Sequence, residues 1–130
     1  MSAYTSLNAA YTEASVLTAP PERLIVLLYD GALRFLRQAS VAMRAGDAVR
    51  CRDRLRRADA IITELNVSLD MSCGEIPVRL RSIYLFCRRC LTGASVARDA
   101  DAIDRVAELL AELRESWQTI ADGAAAQPAA

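Results

Sequence analysis

Apolar residues recur along this chain at steps of three and four, the spacing of one face of an α-helix. Between Glu22 and Ala45 the stripe is Leu24, Ile25, Leu28, Ala32, Phe35 and Ala39. A second runs through Cys51, Leu55, Ala58, Ile62, Leu65 and Leu69, and a third through Ile76, Leu80, Ile83, Tyr84, Cys87 and Leu91. The fourth and most regular is Ile103, Val106, Leu110, Leu113, Trp117 and Ile120. Stop and start signals fall between them. Pro21 suits the first position of a helix, Gly46 a C-terminal cap and Asp47 the next N-cap. Asp70 to Gly74 reads as a turn, Pro77 is tolerated in a first helical turn, and Gly93 to Arg98 reads as a loosened stretch before a cap at Asp99. Four helices of about 20 residues, each roughly 30 Å long, joined by short connections, predict an all-α fold. Its form is an antiparallel up-down-up-down four-helix bundle over residues 20–120. Residues 1–19, small and polar with Tyr4, Leu7, Tyr11, Val16 and Leu17 scattered among them, predict a flexible N-terminal arm. Residues 121–130 predict a disordered Ala-rich tail.

The pattern holds more apolar residues than four seams need. Val26, Tyr29 and Leu33 form a second stripe turned away from the first seam, Ile61 and Val67 leave the second, and Val78, Leu85 and Phe86 leave the third. Periodicity leaves two readings of this surplus open: ordinary apolar surface, or a face awaiting a partner helix or segment.

Composition narrows the chemistry. A chain of 130 residues holds one domain with one core. Its 16 basic residues, all arginine, cancel its 16 acidic ones, so no bulk attraction to nucleic acid or anionic membrane is expected. There is no histidine, which excludes Ser-His-Asp and Cys-His catalysis and removes the commonest metal ligand. Glu108, Glu112 and Glu115 lack the Glu-x-x-His partners of a di-iron bundle and read as solubilising surface. In the arginine-rich run from Arg50 to Arg57, Arg50, Arg54 and Arg57 share one helical face and pair locally with Asp53. No recognition motif accompanies it, so it reads as a solvated face and not as a nucleic-acid site. Cys87-Arg-Arg-Cys90 has C-x-x-C spacing but lies within a helix and not after a strand. In an antiparallel bundle Cys51 approaches Cys87 or Cys90, while Cys73 sits at the opposite end, which defeats a four-cysteine zinc site. The cysteines therefore read as reduced apolar fillers, with a cysteine-based redox- or metal-responsive bundle as the alternative. No catalytic residue, metal or cofactor is assigned. With no signal peptide and no run of about 18 apolar residues to span a bilayer, the expected location is cytoplasmic, without membrane insertion.

The stretch Thr18-Ala-Pro-Pro-Glu-Arg-Leu-Ile-Val-Leu-Leu-Tyr-Asp-Gly-Ala-Leu-Arg-Phe-Leu36 resembles the opening of the flagellar secretion chaperones of the FliS type. The resemblance continues through Gly46-Asp47, Ser68-Leu69-Asp70, Gly74-Glu75-Ile76 and Tyr84 to Leu113-Arg114 and Trp117, with Tyr11 seven residues before Thr18. It implies a cytoplasmic export chaperone, not an enzyme, that binds the disordered C-terminal segment of flagellin in apolar grooves. Such a chaperone prevents premature polymerisation and delivers its client to a flagellar export gate component, acting as a monomer or weak homodimer. A helical adaptor for another exported flagellar protein is the alternative within the same fold. The resemblance turns the surplus apolar stripe into a client surface, assigned to Tyr11, Val26, Tyr29, Leu33, Ile61, Leu65, Leu69 and Leu85. The arm bearing Tyr11 would cover part of it until the client arrives. The sequence departs from the family pattern where Pro20 replaces a Ser/Thr cap, Arg23 an acidic residue, Cys87 a methionine and Cys90 an arginine. The turn at Met71 to Gly74 is a residue shorter than usual.

Overall fold

Two of the chain reversals use the same device. Gly46 (φ +76°) and Arg98 (φ +54°) take left-handed backbone, which turns the chain out of a helix and frees the next amide to reach back. Asp47 N–H then donates to Ala42 C=O at 2.8 Å, and Asp99 N–H to Ala94 C=O at 3.0 Å, satisfying carbonyls a helix end leaves open. Each aspartate at once starts the next helix: Asp47 Oδ1 accepts from Arg50 N–H and Asp99 Oδ1 from Ala102 N–H, both at 3.1 Å. Such caps contribute about 1 kcal/mol each. The third reversal needs Gly74, whose φ of +90° with ψ of −148° is open essentially to glycine alone.

The structure, a computed structural model, describes residues 21–126. It comprises α1 (Pro21–Arg44), α2 (Ala48–Val67), α3 (Glu75–Ala97) and α4 (Ala100–Ala126). Each helix packs against its neighbours in sequence, and α1 closes the ring against α4, giving the expected four-helix bundle. Ion pairs fix the antiparallel sense of α1 and α4. Arg44 at the end of α1 bonds Asp101 and Asp104 at the start of α4, at 2.9 and 2.5 Å, while Asp30 bonds Arg114 far along α4 at 2.7 Å. Ser40 and Arg44 together hold the Asp104 carboxyl below its usual range.

Several boundaries and faces differ from expectation. α3 continues unbroken through Gly93 to Ala97, and α4 runs past residue 120 to Ala126. α2 ends at Val67, so Leu69 lies in the turn and not on the helix. Ile76, assigned to the third seam, is 70% exposed; Pro77 and Ala94 are buried on that face instead. The arm at residues 1–19 and residues 127–130 of the tail lie outside the described residues.

The largest correction concerns α1. Val26, Tyr29 and Leu33, expected to face outward, are buried, whereas Leu24, Ile25 and Phe35 are only partly so. The buried positions from Gly31 round to Val26 occupy more than half the circumference of the helix. The cause is packing on two sides. Gly31, Ala32, Ala39, Ser40 and Ala42 keep α1 slim, so α2 and α4 both lie along it closely. A helix buried over so wide an arc is covered by two neighbours, and Asp30, Arg34 and Arg37 hold the remaining face of α1. Ile61 of α2 is buried for the same reason, while Val67, Val78, Leu85 and Phe86 do face solvent.

Candidate functional site

At the α2–α3 turn the bundle opens. Asp70 Oδ1 accepts from Ser72 N–H at 3.0 Å and from Ser72 Oγ at 2.6 Å, and these bonds hold the Asp70 carboxyl below its usual range. Asp70 C=O accepts from Cys73 N–H at 3.0 Å. Leu69 N–H donates to Asn66 C=O at 3.2 Å, so the turn is tied to itself and to the end of α2, and none of these bonds reaches α1 or α4. Between it and the adjacent ends of α1 and α4 lies a cleft of about 300 Å³ whose walls include Leu65, Leu69, Ile76, Leu80, Tyr84 and Trp117. Ile25 and Pro77 complete its apolar lining. A concavity of this kind, apolar with few polar groups, is the usual form of a binding site.

The floor is stiffened by a polar contact. The Tyr29 and Tyr84 hydroxyls stand 2.6 Å apart within the core, their rings tilted at 51° with centroids 6.5 Å apart. Burial pushes both phenols up from their ordinary value, and for Tyr29 the neighbouring Tyr84 adds to this. Both are therefore neutral near pH 7. This pair links α1 to α3 across the bundle.

Of the residues assigned to the client surface, the cleft brings together Leu65 and Leu69. Leu65 is buried in its wall and Leu69 is half-buried at its rim. Leu85 stands apart, 37% exposed on α3 with Phe86 beside it at 51%. Tyr29, Leu33 and Ile61 are in the core, and Val26 is buried on α1; a client reaches these four only if helices separate. Tyr11 lies outside the described residues. Ile25, Ile76, Leu80 and Trp117 were read as seam residues, and their cleft role went unrecognised. The available signal was position for Ile25, Ile76 and Leu80, which lie within the first two turns of their helices, where a seam runs out of partners. Trp117 lies nine residues before the end of α4 and carried no such signal.

The cysteines do not converge. Cys51 lies beside Ser95, Val96 and Arg98 in a second concavity at the other end of the bundle, so it meets α3 beyond Cys87 and Cys90. Cys73 borders the cleft at the α2–α3 turn. Among the described residues all four are free thiols and no group of three or more Cys, Asp and Glu side chains is placed to hold a metal ion. Burial pushes the Cys87 thiol up to about 11, and the Asp70 carboxylate raises that of Cys73. Both effects disfavour the reactive thiolate.

What this arrangement can do chemically is bury apolar side chains presented by another chain. Fold and cleft together define a small helical binding protein. Across residues 3–124 the chain matches the family model described as Flagellar protein FliS. It is 36% identical over 117 residues to the flagellar secretion chaperone FliS of Salmonella typhimurium, covering 88% of this chain and 87% of that one. To the flagellar secretion chaperone FliS of Bacillus subtilis it is 32% identical over 109 residues, covering 84% and 81%. The chain belongs to the FliS family of flagellar secretion chaperones. Among the described residues no helix is long and apolar enough to cross a membrane.

Proposed function

We propose that this chaperone works in the cytoplasm, where it binds the C-terminal segment of flagellin, keeps it from polymerising early and delivers it to the flagellar export gate. The observation that carries the reading is the open apolar cleft at the α2–α3 turn. Amphipathic client segments cannot bury their apolar faces alone, and the cleft accepts such faces without any chemical step. The client's apolar side chains enter between Leu69, Ile76 and Trp117 and continue over Leu85 and Phe86. Val26, Tyr29, Leu33 and Ile61 serve from beneath, by setting the helix positions that shape this surface. Tyr11 serves in the arm, covering part of the surface until the client arrives. Ordering a disordered client costs free energy, so a broad interface is needed for moderate affinity, and release needs no nucleotide.

Calorimetric titration with the C-terminal segment of flagellin from the same organism tests this. Saturable one-to-one binding with a negative heat-capacity change is expected, together with a change in Trp117 fluorescence. Leu69→Ala and Ile76→Ala are expected to weaken binding by about tenfold, equivalent to about 1.4 kcal/mol. The thermal melt is expected to change little for Ile76→Ala, whose side chain is 70% exposed, and to fall modestly for Leu69→Ala, whose side chain packs half-buried against the core. Unchanged affinity in these folded variants overturns the cleft assignment. No binding by the folded wild type overturns flagellin as client and turns the search to other exported flagellar proteins.

A further inference from the structure

The net charge of zero conceals a separation of charge between helices. α2 and α3 together carry nine arginines against four carboxylates, whereas α4 carries six carboxylates against two arginines up to residue 126. Part of the positive excess gathers along the seam between α2 and α3. There Arg52 and Arg56 of α2 and Arg88 of α3 rim a groove of about 340 Å³ floored by Leu55 and Leu91, with the exposed Val96 at its edge. The groove continues past Leu85 and Arg89, and Arg81, four residues before Leu85, lies on the same helical flank.

The carboxylates here are already committed. Asp59, which lines the groove, accepts from Arg88 Nε at 2.7 Å. Asp53 is shared by Arg54, Arg56 at 2.9 Å and Arg57 at 3.0 Å. Among the described residues, Arg52, Arg81 and Arg89 pair with no carboxylate, and all three are exposed. An aliphatic floor between arginine rims suits a ligand that is apolar along one stripe and anionic along its flanks. From Leu85 to Val96 the groove follows α3 for about three turns, roughly 16 Å. Guanidinium groups match carboxylates in two-point contacts. A nucleic-acid strand is also anionic, but the groove lining contains no aromatic ring to stack a base.

We infer that the α2–α3 groove receives an acidic amphipathic helix of the export client, its apolar stripe on Leu55, Leu85, Leu91 and Val96 and its carboxylates on Arg52, Arg56 and Arg89. The inference rests on the client reading above for the partner and adds the chemistry by which the partner is selected. It also gives the arginine run a task that its local pairing with Asp53 leaves unfilled.

The test uses the full chain, the flagellin C-terminal segment, and two short designed helical peptides with a leucine stripe flanked by glutamates in one and by lysines in the other. The glutamate peptide is expected to bind and the lysine peptide not. Both flagellin and glutamate-peptide affinities are expected to fall by about tenfold as salt rises from about 50 to about 500 mM. The triple variant Arg52→Glu, Arg56→Glu, Arg89→Glu is expected to lose glutamate-peptide binding and gain the lysine peptide. Reversal of the exposed Arg37 and Arg105 is the control and is expected to leave both unchanged. Equal binding of the two peptides, or of neither, overturns the inference. So does a folded triple variant that still binds flagellin like the wild type, a result that leaves the chaperone reading standing. Glutamate-peptide binding with no flagellin binding removes the client and keeps the groove chemistry. A short single-stranded oligonucleotide that binds in preference to the peptide, or salt-sensitive self-association through the acidic α4 of a second copy without peptide binding, assigns the groove elsewhere and overturns it.

Discussion

Tyr29 and Tyr84 are the polar pair on which the interior depends. A tyrosine on an apolar stripe is ambiguous in sequence, since its ring suits the core and its hydroxyl the surface. Here each hydroxyl answers the other, so both rings are buried without an unsatisfied group. Tyr84→Phe leaves the Tyr29 hydroxyl buried without that partner and is expected to cost about 1–3 kcal/mol in urea unfolding. The double variant Tyr29→Phe, Tyr84→Phe is expected to cost less than the sum of the two single changes, because it removes donor and acceptor together. Strict additivity would mean that the hydroxyls do not interact. The same pair explains why Tyr29 was misplaced: periodicity fixes the angle of a side chain about its own helix, not whether another helix lies at that angle.

At the level of elements, the reversals were the most legible part of the sequence. Gly46-Asp47 and Asp99 were read correctly because their chemistry is local: a left-handed residue and a carboxylate capping the next helix. Arg98 is the exception. It occupies the left-handed position that glycine fills at the first reversal, so nothing in its side chain announced it, and the end of α3 was misread at Gly93. A residue with a Cβ pays about 1–2 kcal/mol there, and glycine gives back part of that gain through chain entropy. Arg98→Gly is therefore expected to raise stability by about 0.5–1 kcal/mol in thermal or urea unfolding. A loss of stability would mean that the arginine side chain contributes more than its backbone strain costs. The α2–α3 turn was also recognised, though the end of α2 before Leu69 was not, because apolar spacing continues across the turn while the helix does not.

For the whole molecule, the four helices are not equivalent. The α1 backbone runs close to both α2 and α4, whereas the α3 backbone approaches α2 and α4 closely at far fewer points and α3 exposes Ile76, Val78, Leu85, Phe86 and Val96. Amide hydrogen exchange is expected to be slowest in the middle of α1 and distinctly faster in α3. Equal protection of the two helices would contradict this ranking. A loosely held helix beside the cleft and the arginine-rimmed groove suits a surface that must adapt to a client segment. The more firmly packed half, tied by Arg44 to Asp101 and Asp104 and by Arg114 to Asp30, supplies the frame.

The sequence by itself determined the number of helices, their approximate ends, their antiparallel order and, through motifs spread along most of the chain, the family. Those properties rest on near neighbours along the chain, on caps, spacing and short connections. Tertiary structure decided which apolar residues are core and which are surface. Val26, Tyr29, Leu33 and Ile61 went inward because small residues let α2 and α4 close on α1, while Ile76 went outward because the turn before it stands off the bundle. It also decided where charge collects. Arginines scattered over two helices form one rim only when α2 and α3 lie side by side, and a net charge of zero carries no information about that.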